Sequence, residues 1–63
     1  MGRENLYIDY MGDGKYAAFV LGNIVDVDTD PGMLAGRAWQ SVNYYGMLGV
    51  VLSQGVALIL GMD

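Results

Sequence analysis

The chain contains no cysteine and no histidine. Without cysteine it can form neither a disulfide nor a thiolate metal site, and without histidine it lacks the commonest zinc ligand and general base. Proline occurs once, at Pro31, and the whole chain holds 3 basic side chains. We therefore expect no bound cofactor and no catalytic site that depends on the missing residue types.

The basic residues are scattered as well as scarce. Arg3, Lys15 and Arg37 stand singly, whereas the acidic residues number 7, which gives a net charge of −4. A nucleic-acid surface needs clustered Lys and Arg to displace counterions from phosphates. The charge balance therefore predicts no nucleic-acid partner.

Apolar residues are abundant, at 54% of the 63 residues. A domain this short buries only about 60% of the surface of its unfolded chain, so it generally requires a crosslink or a partner. Because disulfides and thiolate metal sites are excluded and histidine ligands are missing, association is the remaining route to stability. The expected partners are other membrane-protein subunits, copies of the same chain, or the lipid bilayer.

The N-terminal segment, residues 1–30, is polar and predicts a short β-meander. Three runs rich in aromatic, β-branched or other apolar side chains alternate with turn signals that contain glycine. The runs are residues 6–11, 15–21 and 24–28, and the turn signals are residues 12–14 and 22–23. The alternative is one short helix over residues 15–25 capped by Asp13, because alanine and leucine in this run favour helices. A pattern of seven residues does not separate the two.

Three alternating carboxylates, Asp26, Asp28 and Asp30, form a weak candidate metal site. A calcium loop of the EF-hand type needs Gly at its sixth position and Glu at its twelfth, where this chain has Pro31 and Arg37. The structural interpretation is favoured instead. It places Asp26 and Asp28 on the water-facing side of an edge strand, and Asp30 as the N-cap of a helix that begins at Pro31.

The C-terminal segment, residues 31–63, predicts one long apolar helix. From Ala38 to Met62 the sequence has 25 residues without a charge, which as a helix extend ~37 Å and exceed a hydrocarbon core of about 30 Å. We therefore expect a single-pass membrane protein with its span at residues 39–62. The side chains expected to anchor it at the membrane interface are Arg37, Trp39, Tyr44 and Tyr45.

Small residues recur every fourth position in this predicted helix, so a neighbouring helix can approach its backbone closely. The predicted helix-packing interface consists of Gly49, Ser53, Gln54, Ala57 and Gly61. The alternative is a strip that faces lipid or packs loosely.

The sequence thus predicts a mainly α protein, with a small α+β fold as the alternative, and no enzyme activity. Ser41 and Ser53 have no His or Lys nearby in the sequence to act as a base. The favoured function is a structural or accessory subunit of a larger membrane assembly. The alternatives are a self-assembling filament, pilus or virion coat subunit, and a soluble homo-oligomeric structural domain.

Overall fold

The computed structural model describes residues 4–61, which form four strands and two helices. The elements are β1 (Asn5–Gly12), β2 (Lys15–Val20), β3 (Asn23–Asp28), α1 (Pro31–Tyr45), β4 (Gly49–Leu52) and α2 (Gln54–Leu60). Strands β1, β2 and β3 form an antiparallel meander, and β4 pairs in parallel with β1, so the sheet order is β3-β2-β1-β4. Both predicted segments of the chain therefore contribute strands to one sheet.

The predicted meander is confirmed, and its turns explain why it forms. Asp13 and Gly14 lie between the paired residues Gly12 and Lys15, and both have positive φ, at 58° and 71°. Two central residues with positive φ make a turn whose twist matches that of the flanking strands. Leu21 and Gly22, with φ of 52° and 81°, make the second turn. It lies one residue earlier than the sequence predicted.

Helix α1 begins where the sequence predicted. The Asp30 carboxylate accepts hydrogen bonds from the N–H groups of Gly32 and Met33, at 2.9 and 3.2 Å, and Pro31 is the first helical residue. The helix then ends at Gly46, whose φ of 68° takes the chain out of the helical conformation. Glycine reaches this left-handed region without the steric penalty that other residues suffer, so it terminates helices well.

The predicted long helix is wrong, because Gly46 is a helix terminus and not an interior residue. The chain next forms β4, and Ser53 then caps α2 by accepting a hydrogen bond from the N–H of Val56. Gly61 closes α2 with a φ of 70°. The protein is therefore a small α+β fold and not a mainly α protein.

The predicted membrane span at residues 39–62 is also wrong. Helix α1 has 15 residues and extends ~22 Å, short of the ~30 Å of a hydrocarbon core. In the part of the chain that the structure describes, no helix combines the length and the apolar character that a membrane crossing requires. Met62, the predicted end of the span, lies outside the described residues.

The core forms on one side of the sheet, where both helices pack. Leu34, Ala38 and Val42 recur every four residues along α1 and so lie on the same face of the helix. They pack against the strands and against α2. The buried residues of this cluster are Leu6, Ile8, Ala18, Leu34, Ala38, Val42 and Val56. We call this side of the sheet the inner face and the opposite side the outer face.

Candidate functional site

The three aspartates of the weak metal candidate are engaged by protein donors. Arg37 donates to both oxygens of Asp26, at 2.9 Å from Nε and 3.1 Å from Nη2, and to Asp28 at 2.8 Å from Nη1. Asp30 caps α1. Within residues 4–61 no group of three or more acidic side chains is arranged to hold a metal ion. The favoured placement of Asp26 and Asp28 on the water-facing side of the strand also needs correction, because α1 supplies Arg37 to both of them.

Electrostatics keep this cluster ionised. The hydrogen bond from Arg37 lowers the pKa of Asp26 below the ordinary value of 3.8. The N–H of Asp30 and, after it, the Arg37 guanidinium lower the pKa of Asp28. The two carboxylates in turn raise the pKa of Arg37. Carboxylates held in the charged form are poor proton donors at neutral pH, so the cluster is suited to fastening α1 to β3.

A shallow depression of about 340 Å³ lies beside this cluster, between α1 and strands β2 and β3. Ser41 and Asp26 are among the residues that line it. Because Asp26 lines the same depression, its carboxylate is the candidate general base for the Ser41 hydroxyl. Both of its oxygens already accept hydrogen bonds from Arg37. The arrangement therefore offers no activated nucleophile.

The structure distributes the predicted helix-packing residues over three kinds of position. Gly49 begins β4, Ser53 is the N-cap of α2, and Gly61 is its C-cap. Gln54 and Ala57 lie within α2. The five residues therefore do not line one helix, and the geometric basis for a close helix–helix contact is absent. Their contact with a partner stays a prediction.

The predicted membrane anchors all lie on α1. Arg37 binds the two aspartates of β3. Trp39 is half-exposed, and Tyr44 and Tyr45 are largely exposed in an edge-to-face pair with ring centroids 4.8 Å apart. Within the described residues α1 does not lead into a spanning segment, so the predicted span that these side chains were expected to anchor is wrong.

The outer face of the sheet is a feature that sequence reasoning did not single out. Side chains alternate between the two faces of a strand, so the neighbours of the buried Leu6, Ile8 and Ala18 lie on the outer face. They include Tyr7 of β1 and Phe19 of β2. Neither helix contributes to this face, since both pack on the inner side.

One apolar row crosses the outer face and takes one residue from every strand. Tyr7 pairs with Phe19 on one side and with Val51 on the other, and Phe19 pairs with Ile24. Residues that are paired directly across strands lie on the same face with their side chains in contact range. Tyr7, Ile24 and Val51 expose 48%, 50% and 40% of their surface. We call this set of four residues, Val51, Tyr7, Phe19 and Ile24, the outer row.

A second line of the outer face lies beside the outer row. Asp9, Ala17 and Val27 are paired across β1, β2 and β3. Ala17 has no exposed surface, because its larger neighbours close over it. The outer face is therefore apolar at its centre, and Asp9 and Lys15, which alternates onto the same side as Ala17 and Phe19, place one charge of each sign on it.

The alternation of Tyr7 with the buried Leu6 and Ile8 was the sequence signal for this face. It was insufficient because the partner of Tyr7 depends on the strand register. A bulge at Met11 shifts the pairing between Tyr10 and Gly12. Counting back from the turn without it places Tyr7 opposite Val20, on the inner face.

Comparison with known proteins adds no further assignment: no family model matches the chain, and neither a curated protein nor a solved structure is significantly similar to it.

Proposed function

We propose that this protein is a non-catalytic assembly subunit that binds another polypeptide through the outer face of its sheet. The observation that carries the proposal is the outer row, which aligns four apolar side chains across the four strands, three of them exposed and Phe19 partly buried. Single exposed apolar residues are normal on a protein surface, but a contiguous apolar patch generally marks an interaction site. The residues of this patch are held in place by the hydrogen bonds between the four strands.

The distribution of charge supports a polypeptide partner over a nucleic acid. Of the two basic residues within residues 4–61, Arg37 is occupied by Asp26 and Asp28. Lys15 alone cannot form the cluster of positive charge that phosphate groups require. The apolar outer row, by contrast, gains free energy when another protein surface removes it from water.

The test compares a variant of the outer face with a control variant on a helix. Tyr7→Thr with Ile24→Thr, which we call the outer-face variant, removes exposed apolar surface from the sheet and places threonine, a β-branched residue suited to strands, at both positions. Leu58→Gln is the control, because Leu58 is 58% exposed but lies on α2. Each protein is purified with a tag from its native cells after mild crosslinking, and the mass and composition of the complex are measured.

We expect the wild type and Leu58→Gln to recover a complex of defined stoichiometry, and the outer-face variant to be recovered as a monomer. Recovery of the wild type as a monomer, or retention of the complex by a folded outer-face variant, would contradict the proposal. A complex made only of copies of this chain favours the self-assembling alternative on the same surface.

A further inference from the structure

We draw no further inference here: the strongest candidate, the open and largely apolar groove of about 520 Å³ between the Tyr10 and Tyr16 rings and helix α2, carries none because nothing in the described part of the structure shows what occupies it.

Discussion

Leu21 is the residue whose backbone conformation suits its side chain least. Its φ is 52°, and its side chain is 74% exposed. A residue with a Cβ atom in the left-handed region suffers a steric penalty of roughly 1–2 kcal/mol, which asparagine and glycine largely avoid. The side chain gains little from packing in return.

Leu21→Asn is therefore expected to stabilise the protein by about 1 kcal/mol. The substitution creates an Asn-Gly pair at the centre of the turn, the pair that most favours this turn type. Urea unfolding monitored by circular dichroism gives the change in the free energy of unfolding. Leu21→Ala is the matched control, because alanine removes the same exposed side chain but keeps the steric penalty. An equal gain from alanine would attribute the effect to lost apolar exposure instead.

The cluster of Arg37 with Asp26 and Asp28 predicts how stability depends on pH. The folded state lowers the pKa of both acids below 3.8, so each binds its proton less readily than in the unfolded chain. Their contribution to stability is complete above the unfolded value of about 4 and is lost as pH falls through the lowered values.

We expect the thermal midpoint of the wild type to fall as the solution is acidified below about pH 4. Arg37→Gln removes the cation, so the variant should be less stable near pH 7 and should lose less on acidification. Thermal melts at a series of pH values compare the two slopes. If the thermal midpoints of wild type and variant fall equally with pH, other carboxylates cause the loss of stability in acid.

At the scale of elements, α2 packs against the rest of the protein through fewer buried side chains than α1. Its 7 residues bury one side chain, Val56, which is 1% exposed. A helix this short is not stable in isolation, so its persistence depends on packing and on the Ser53 cap. The attachment of α2 to the sheet is therefore concentrated at one position.

Val56→Ala is expected to destabilise the protein by about 2 kcal/mol, because two buried methyl groups are lost and a cavity remains. The Ala57 N–H, which bonds to the Ser53 carbonyl at 2.8 Å, should then exchange with deuterium much faster than amides of β1 and β2. Leu58→Ala, at a neighbouring exposed position, should change the stability by less than about 0.5 kcal/mol. Equal effects of the two substitutions would contradict the assignment of Val56 as the anchor.

The elements that the sequence predicted correctly are those with local chemical signals at their ends. Asp13-Gly14 predicted the first turn, and Asp30-Pro31 predicted the start of α1. Gly46 carried the corresponding signal for the end of α1, but a glycine also occurs inside membrane helices, where lipid lowers its cost. An uncharged stretch alone does not separate one spanning helix from three short elements, because uncharged side chains also occur at exposed positions of short elements, as Tyr44, Leu58 and Ile59 do here.

Strand β4 and the outer row could not be predicted from local sequence signals, for a different reason. The four residues of β4 become a strand because β1 supplies hydrogen-bonding partners more than 40 residues earlier in the chain. The outer row requires both this pairing and the bulge at Met11. Such long-range register is set by tertiary packing, which outweighs intrinsic strand preference.

At the scale of the whole molecule, a single small core must stabilise all six elements. For 63 residues the usual range of ~0.05–0.15 kcal/mol per residue gives a total stability of roughly 3–9 kcal/mol. Leu34 lies at the centre of the core with no exposed surface, and the adjacent Met33 is 60% exposed. Substitutions at these two residues therefore compare a buried with an exposed position on one helix.

Leu34→Ala is expected to cost about 2–5 kcal/mol, which approaches the whole stability of the domain. Its thermal transition should move far below that of the wild type or lose its cooperativity. Met33→Ala should remain within about 0.5 kcal/mol of the wild type. Calorimetry of the two variants provides the test, and a cooperative Leu34→Ala transition near the wild-type midpoint would show that the core extends beyond the helix–sheet contact.

The parallel pairing of β1 with β4 forms later than the two hairpins when the chain folds during its synthesis. The β1–β2 and β2–β3 hairpins close over turns of two residues, whereas the pairing of Asn5 with Gly49 closes a loop that contains α1. Closing the longer loop costs more chain entropy and proceeds more slowly. On the ribosome, β1 therefore remains an open edge until residue 52 has emerged, and the emerging chain is exposed to strand pairing with its neighbours during that interval.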